Sequence, residues 1–363
     1  MFSALDHQYM SQALRLAEQG LYTTDPNPRV GCVIVRDEHV VGAGWHQQAG
    51  EAHAEINALR QAGEQARGAT VYVTLEPCSH HGRTPPCADA LIAAGVARVV
   101  VAMQDPSPKV AGQGMAQLQA AGITVESGLM QTDAEALNPG FVSRFSRQRP
   151  YVRCKVAASA DGRTAMASGE SKWITSAAAR EDVQRLRARS SVIVTGIETV
   201  LADDPRMNAR VEVEVRQPDR VVLDTQLRTP KQAAILKQAG LTWLAHASSD
   251  AERRRVLQQA GARLLDLPAQ AGRLDLHAVL NALNELEYNE VLVEAGATLG
   301  GAFLQAGLVD ELIVYLAPHL MGDAARPMFQ IAGLTSMADR IPLTLMDVTA
   351  VGDDLRLRYR PQK

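Results

Sequence analysis

A histidine and two cysteines lie at a spacing that could hold a metal ion. His53 begins the run His53-Ala54-Glu55, and Cys78 and Cys87 follow it along the chain. One imidazole and two thiolates are ligands that zinc prefers. Three protein ligands leave the fourth tetrahedral position to water, as in catalytic zinc sites. The sequence therefore predicts one catalytic zinc ion per chain, held by these three side chains.

Glu55 is the candidate for proton transfer at this metal. It is too close to His53 in the chain to share the metal easily, but near enough to exchange protons with a zinc-bound water. A histidine, a glutamate that is not a ligand and a Pro-Cys pair form the signature of zinc deaminases, in which water displaces an amino group from an aromatic carbon. This chain departs from the signature, because eight residues separate its cysteines where the signature has two. The alternative is a chance motif with two buried thiols.

The eight residues between the cysteines place further polar groups beside the predicted metal. His80, His81 and Arg83 could contact a polar substrate or its phosphate, or could form a solvated loop. Either histidine could also be a fourth zinc ligand, which would make the site structural. The loop therefore leaves a catalytic and a structural interpretation open.

Other residues of the first half carry weaker signals. Asn27 stands in a proline-rich turn, where its amide could orient a pyrimidine-like ring or could serve the turn alone. His46 could face the same site or lie in the core or at the surface. Cys32 and Cys154 lie in apolar stretches, and we interpret them as packing residues.

Three polar clusters follow predicted strands in the second half of the chain. The first joins Lys155 to Trp173, whose ring could stack on a flat ligand. The second spans Thr199 to Arg210, and the third places Glu294 before a glycine turn at 296–301. Such a turn at a helix start presents free N–H groups to phosphate. The clusters predict one ligand-binding cleft, although the G-x-G-x-x-G fingerprint of Rossmann domains is absent.

Hydrophobic periodicity predicts the elements that must position these residues. An opening helix, with Asp6 as its N-cap and Gly20 at its end, precedes strands that alternate with short helices. The second half repeats this alternation and ends in a hairpin around Asp353-Asp354. Strands alternating with helices indicate the α/β class. The pattern breaks at 138–150, so the sequence predicts a first domain at 1–146 and a second at 147–363.

Composition excludes several classes of protein. A length of 363 residues suits two domains. The 37 Lys and Arg against 40 Asp and Glu provide no basic surface for nucleic acid. The apolar runs are far shorter than the ~18 residues of a membrane span, and the N-terminus does not read as a secretory signal. We therefore expect a cytoplasmic protein with a small-molecule ligand and with neither a nucleic-acid partner nor membrane contact.

As a set, these residues resemble the bifunctional riboflavin-biosynthesis deaminase–reductase family. The resemblance covers nearly the whole chain and rests on Pro26-Asn27-Pro28, His53-Ala54-Glu55, Glu76 to Cys87, Ser171 to Thr175, Ala202 to Pro205 and Glu294 to Gly301. It implies an N-terminal cytidine-deaminase-like three-layer domain and a C-terminal dihydrofolate-reductase-like domain. It also implies hydrolytic deamination of 2,5-diamino-6-(5-phosphoribosylamino)pyrimidin-4-one. NADPH would then reduce the ribosyl chain of the product, 5-amino-6-(5-phosphoribosylamino)uracil, to ribityl.

The resemblance also implies residue roles. It places zinc on His53, Cys78 and Cys87, with Glu55 as the proton shuttle. Substrate contacts fall on Ser171, Arg187, Met207, Arg210 and Glu294, to which the loop and turn residues add Asn27, His80 and Arg83. NADPH contacts fall on Ala157, Trp173, Thr199, Asp203, Thr225, Gly296, Ala297, Thr298, Leu299, Gly300, Gly301 and Ala302.

Chemistry adds expectations to these roles. Lys155 and Asp203 are expected near the reacting sugar carbon, where reduction requires a proton. Arg187 and Arg210 suit the substrate phosphate, because a guanidinium binds phosphate through two parallel hydrogen bonds. We expect a phosphorylated pyrimidine as substrate and a homo-oligomer as the assembly.

Two other functions fit parts of the sequence. A free-base or nucleoside deaminase with an accessory domain would lack reductase activity, so NADPH oxidation that depends on the deaminated product separates it from the first interpretation. A non-enzymatic protein with a structural zinc and a ligand-sensing second domain would be indifferent to the change Glu55→Gln.

Overall fold

The computed structural model describes residues 1–79, 86–108 and 110–362. Contacts divide the chain into two compact units, Met1–Gln148 and Arg149–Lys363. The boundary expected from the sequence, between 146 and 147, lies two residues before this division. Most of the stretch 138–150, which reads as a break in the sequence, is helical. Pro139 is compatible with this helix because it occupies the first turn, where its missing N–H has no partner to lose.

The first unit is a three-layer α/β domain. Its helices are α1 (Ala4–Glu18), α2 (Ala54–Ala62), α3 (Cys87–Ala94), α4 (Gln113–Ala120), α5 (Gln131–Leu137) and α6 (Pro139–Ser146). Its strands are β1 (Gly31–Arg36), β2 (His39–Trp45), β3 (Thr70–Leu75), β4 (Arg98–Met103) and β5 (Thr124–Ser127). They form one sheet in the order β2-β1-β3-β4-β5, in which β3, β4 and β5 are parallel.

Alternating side chains of the central strands cover both faces of this sheet. Val71 and Val73 of β3 pack with α2, α3 and α4, whereas Tyr72 between them packs with α1 and α5. Because successive side chains of a strand point to opposite faces, a mostly apolar strand is buried on both sides. This arrangement confirms the three-layer fold expected for the N-terminal domain.

The start of α1 differs from the sequence prediction. Ser3, and not Asp6, is the N-cap, and Asp6 completes a capping box from the third helical position. The Asp6 carboxylate also accepts hydrogen bonds from the Tyr72 hydroxyl at 2.8 Å and from Arg98 at 2.7 Å. Burial by itself raises the pKa of Asp6, but the bonds from Arg98, Ser3 and Tyr72 outweigh it and hold the pKa well below its usual value.

Replacing Asp6 by asparagine is expected to lower the free energy of unfolding of the first unit by ~2 kcal/mol at neutral pH. The folded-state pKa lies below the unfolded one, so the contribution of this group is complete above about pH 4 and is lost as the pH falls toward the folded pKa. Thermal unfolding between pH 3 and 7 should therefore show a difference in melting temperature between wild type and variant that becomes smaller as the pH falls. Asp37→Asn, at an exposed turn carboxylate, is the control. A difference in melting temperature between wild type and the Asp6 variant that is the same at all pH values would contradict the prediction.

The second unit is built on a nine-stranded sheet. Its helices are α7 (Ala177–Ala188), α8 (Ile197–Asp203), α9 (Ala251–Gln259), α10 (Leu276–Glu285) and α11 (Ala297–Gln305). Its strands are β6 (Tyr151–Ser159), β7 (Arg163–Ala165), β8 (Val192–Gly196), β9 (Asp219–Leu223), β10 (Thr242–His246), β11 (Arg263–Asp266), β12 (Ala269–Gln270), β13 (Arg273–Leu274), β14 (Glu290–Val293), β15 (Glu311–Ala317), β16 (Arg326–Pro327), β17 (Leu343–Val351) and β18 (Asp354–Pro361). Short 3-10 helices lie at Gly63–Ala66 in the first unit and at Ala234–Lys237 and Met337–Asp339 in the second.

The large sheet has the order β11-β10-β9-β8-β14-β6-β15-β18-β17. The strands from β11 to β15 are parallel, and the hairpin β17–β18 joins them antiparallel. Parallel strands bring their carboxyl ends to one edge of the sheet, which is where ligands bind in such folds. Helices α8 and α11 begin at this edge, directly after β8 and soon after β14. Within the described residues, no helix has the length and apolarity needed to cross a membrane.

Candidate active sites

The three predicted zinc ligands meet in the first unit. His53 directly precedes α2, Cys78 lies beyond the end of β3, and Cys87 is the first residue of α3. The His53 Nδ1 atom lies 3.2 Å from the Cys87 Sγ atom and 3.6 Å from the Cys78 Sγ atom. Zinc bonds of about 2.0–2.3 Å in a tetrahedron place ligand atoms roughly 3.3–3.8 Å apart. The donor types and their spacing therefore fit zinc.

The local electrostatics favour a thiolate at Cys78. Hydrogen bonding to Cys87 and to His53 lowers the pKa of the Cys78 thiol, against the effect of burial. The backbone N–H of Cys87, at the start of α3, donates to the Cys78 Sγ atom at 3.3 Å. The hydrogen bond with Cys78 in turn raises the pKa of His53. In the described part of the chain, these three residues are the single cluster of histidine, cysteine and acidic side chains with metal-ligand geometry.

Glu55 lies in the first turn of α2 and is buried beside this cluster. Burial raises the pKa of its carboxyl to about 7, and the neighbouring His53 partly opposes that effect. A carboxyl group with a pKa near neutrality can both accept and return a proton. The position of Glu55 suits the proton shuttle that the sequence predicts.

Asn27 and His46 lie next to the metal ligands. The Asn27 side-chain amide donates to the Nε2 atom of His46 at 3.1 Å, and the Nδ1 atom of His46 donates to the Ala52 carbonyl at 3.2 Å. The ring of His46 contacts that of His53 edge-on, with 5.5 Å between the ring centres. Both residues are thus brought to the predicted site, whereas His80, His81 and Arg83 lie outside the described residues.

A second cluster lies at the carboxyl edge of the large sheet. Glu294, which follows β14, accepts hydrogen bonds from Arg187 at 2.6 and 2.9 Å, and the Lys155 Nζ atom of β6 lies 3.9 Å from the same carboxylate. Burial would raise the pKa of Glu294, but the two cations hold it below its usual value. Burial lowers the pKa of Lys155, with partial opposition from Glu294. The cluster therefore holds a carboxylate between two cations, one of which can release its proton more readily than a surface lysine.

The loop after α8 contributes to the same cluster. Arg187 donates to the Asn208 carbonyl at 3.3 Å and contacts the Met207 sulfur at 3.8 Å. Arg210 is exposed and donates to the side-chain oxygen of Asn208 at 2.6 Å. The structure thus brings together five residues that the sequence predicts: Lys155, Arg187, Met207, Arg210 and Glu294.

Residues Ser171 to Thr175 lie between β7 and α7 in the chain and contact both α7 and α8. Lys172 pairs with Asp203 of α8 at 3.5 Å, and the guanidinium of Arg180 in α7 lies 4.6 Å above the ring of Trp173. Trp173 is 69% exposed, so most of its ring remains accessible to a ligand. Within the described residues, the Ser171 side chain forms no hydrogen bond with this cluster.

Comparison with known proteins identifies the family of each unit. Residues 150–357 match the family described as RibD C-terminal domain, and residues 3–103 match the cytidine and deoxycytidylate deaminase zinc-binding region. The riboflavin biosynthesis protein RibD of Escherichia coli is 52% identical over 97% of this chain and 98% of its own length. That of Haemophilus influenzae is 46% identical over 99% of both chains. The chain belongs to the RibD family.

Solved RibD structures share the whole fold. The RibD structure of Acinetobacter baumannii matches with a TM-score of 0.93 and 50% identity over 99% of both chains. A Thermotoga maritima diaminohydroxyphosphoribosylaminopyrimidine deaminase/5-amino-6-(5-phosphoribosylamino)uracil reductase matches with a TM-score of 0.88 and 30% identity over 99% of both chains. This member of the RibD family is accordingly a bifunctional riboflavin-biosynthesis enzyme, with a zinc-binding deaminase domain and an NADPH-dependent reductase domain.

The residues expected to contact NADPH occupy the carboxyl edge of the RibD reductase sheet. Ala157 lies in β6, Thr199 and Asp203 lie in α8, Thr225 follows β9, and Gly296 to Ala302 span the start of α11. A Cβ atom at Gly301 would overlap the Gln330 carbonyl, and the Thr298 hydroxyl donates to the Gln330 side chain at 2.6 Å. Glycine at 301 therefore permits close packing of the segment at Gln330.

The sequence analysis did not single out Gln330. Its side chain accepts a hydrogen bond from the hydroxyl of Thr298, one of the residues expected to contact NADPH. Gln330 lies 32 residues beyond Thr298 in the chain, so no local pattern marks this contact.

Proposed function

We propose that this member of the RibD family deaminates 2,5-diamino-6-(5-phosphoribosylamino)pyrimidin-4-one and then reduces the ribosyl chain of 5-amino-6-(5-phosphoribosylamino)uracil. The observation that carries the proposal is the cluster of His53, Cys78 and Cys87 with the buried Glu55 beside it. The name of the Thermotoga maritima relative supports the two substrates. Residues 1–146 would perform the deamination and residues 147–363 the reduction.

In the deaminase site, each nearby side chain has one task. His53, Cys78 and Cys87 would hold a zinc ion, which would supply a Lewis acid that makes water more acidic. Glu55 accepts a proton from the attacking water and passes it to the ring nitrogen; it then accepts the proton of the newly added hydroxyl and passes it to the departing amine, so that ammonia leaves and a carbonyl remains. Asn27 orients the pyrimidine, and its hydrogen bond to His46 fixes the direction of its amide.

In the reductase site, bound NADPH would supply the hydride, and a protein group must supply the proton for the ring oxygen of the opening ribosylamine. Lys155 donates that proton, and Glu294 holds the ammonium group in place. Arg187 directs its guanidinium at Glu294 and at the Asn208 carbonyl. The phosphate role considered for both arginines therefore falls to the exposed Arg210.

Product analysis tests this function directly. Incubation of the purified protein with the diaminopyrimidine and no NADPH should release ammonia and accumulate the uracil intermediate. Added NADPH should then be oxidised in equal amount as the ribityl product forms. Deamination without any NADPH oxidation would instead indicate a deaminase with an accessory domain, and neither reaction would indicate a binding protein. We also propose a cytoplasmic location, because the cytoplasm keeps the ligand thiols reduced.

We further propose that two copies assemble through β17. This edge strand is nine residues long, and Leu343, Leu345, Met346 and Val348 are 40–54% exposed. Long apolar edge strands pair with further chains unless they are covered. Antiparallel pairing of two β17 strands about a twofold axis would cover both edges with one contact.

Replacing Val348 by lysine is expected to weaken this dimer. Each copy would bring one lysine ammonium group to the twofold contact. Burying these two like charges there should cost ~2 kcal/mol, so the dissociation constant should rise about thirtyfold. Sedimentation velocity across a concentration series measures the change. Val213→Lys, at a residue 56% exposed elsewhere in the same unit, is the control, and a dimer unaffected by Val348→Lys would place the interface elsewhere.

A further inference from the structure

Glu76 is a buried acidic side chain that neither reaction uses. It directly follows β3 and precedes Pro77 and the zinc ligand Cys78. Its residue is only 3% exposed. Among the described residues, no lysine or arginine forms a salt bridge with Glu76.

Backbone N–H groups surround the Glu76 carboxylate instead. One oxygen accepts from Asp105 at 3.2 Å and from Gly112 at 2.9 Å, and the other accepts from Gly114 at 3.0 Å and from Met115 at 3.3 Å. Gly112 is the N-cap of α4, and Gly114 and Met115 belong to its first turn. The start of a helix carries unpaired N–H groups and partial positive charge. The carboxylate therefore satisfies the start of α4, and the helix compensates its charge.

Two further contacts hold the chain just beyond Glu76. A Cβ atom at Gly114 would overlap the Pro77 carbonyl oxygen, so α4 packs directly on the backbone of Pro77. The carbonyl of Cys78 accepts from the backbone N–H of Ala88, in α3, at 3.2 Å. The segment from Glu76 to Cys78 is thus fixed between the starts of α4 and α3.

We propose that Glu76 is a positioning residue of the zinc site, which holds the Cys78 sulfur where it meets His53 and Cys87. The proposal rests on the assignment of Cys78 as a zinc ligand. It has a specific consequence for Glu76→Gln, a change that keeps the side-chain shape. The new NH2 group would face two N–H donors, so two hydrogen bonds would be lost and the segment carrying Cys78 would move away from α4.

The matched control is Asp89→Asn. Asp89 of α3 accepts a hydrogen bond from Gln117 of α4, so it links the same two helices without touching the segment from Glu76 to Cys78. Loss of a carboxylate between α3 and α4 is common to both variants. Only Glu76→Gln should disturb the metal.

The experiment measures metal binding by the full-length protein. Zinc affinity is determined by competition with a chromophoric chelator, and the cobalt-substituted protein is examined by its thiolate-to-cobalt and d–d absorption bands. Glu76→Gln should lower zinc affinity by about 10- to 100-fold, as loss of groups that orient metal ligands does, and should shift the cobalt bands. Asp89→Asn should leave both unchanged, and reduction of the uracil intermediate should stay at the wild-type rate in both variants.

Three results would overturn the proposal. Wild-type zinc affinity and cobalt bands in Glu76→Gln, even with a lower melting temperature, would give Glu76 a purely structural role. If Glu76→Gln does not fold, Gly114→Ala, which displaces Pro77 without changing charge, must show the same loss of zinc affinity, and unchanged affinity there would refute the proposal. Wild-type zinc affinity in Cys78→Ser would remove the ligand assignment itself, whatever Glu76→Gln does.

Discussion

Glu55→Gln should abolish most deamination while the protein keeps its zinc. The amide retains the shape of the side chain but can neither accept a proton from water nor return one to the leaving amine. Loss of a proton shuttle typically costs 10²- to 10⁴-fold in rate, so we expect a fall on the order of 10³-fold in kcat. Ammonia release from the diaminopyrimidine measures it.

The same protein provides the controls for this variant. Zinc content should equal that of wild type, because the three ligand atoms come from His53, Cys78 and Cys87 and not from Glu55. Reduction of the uracil intermediate, which uses the other unit, should proceed at the wild-type rate. Glu64→Gln, at an exposed position just after α2, should change neither reaction. A Glu55→Gln protein that still deaminates at more than a tenth of the wild-type rate would exclude Glu55 as the shuttle.

Local patterns in the sequence predict much of the fold. Helix α3 begins at Cys87 and ends before Gly95, which caps it in the left-handed conformation that glycine adopts freely. Strands β3, β4 and β14 fall on the residues predicted for them, because buried parallel strands are nearly continuous in apolar side chains. The metal ligands His53, Cys78 and Cys87 can be predicted from the sequence because one imidazole and two thiolates are ligands that zinc prefers.

Short polar helices are harder to predict. Helices α5, α6 and α8 have seven or eight residues each, as α3 has, but no glycine follows them to mark their ends as Gly95 marks the end of α3. Asp6 is a good capping residue and so reads as the N-cap, yet Ser3 holds that position and Asp6 supports it from the first turn of the helix. Local preference allowed both arrangements.

The partners of the site residues depend on contacts between distant parts of the chain. Arg187 suits a phosphate by its chemistry, but the fold places it against Glu294, 107 residues later in the chain. The four N–H groups around Glu76 come from residues 29 to 39 positions away. Such pairings become visible only when the sheet and its helices are assembled.

Replacing Lys155 by methionine is expected to slow reduction by about 10²- to 10³-fold, as loss of a general acid does, and to leave deamination unchanged. Methionine preserves the apolar length of the side chain but removes the proton beside Glu294. NADPH oxidation with the uracil intermediate measures the reduction, and ammonia release serves as the internal control. Lys237→Met, at an exposed lysine outside the cluster, should have no effect.

Two further readouts separate proton donation from substrate binding by Lys155. A general acid acts in its protonated form, so wild-type kcat should fall as the pH rises through the pKa of Lys155, which burial lowers from its ordinary value of 10.5. This limb of the pH profile should vanish in Lys155→Met. Removing the acid also makes the chemical step slower, so NADPH deuterated at C4 should show a larger isotope effect on kcat in the variant. If Lys155 only bound the phosphate, KM would rise while kcat, its pH limb and its isotope effect stayed as in wild type.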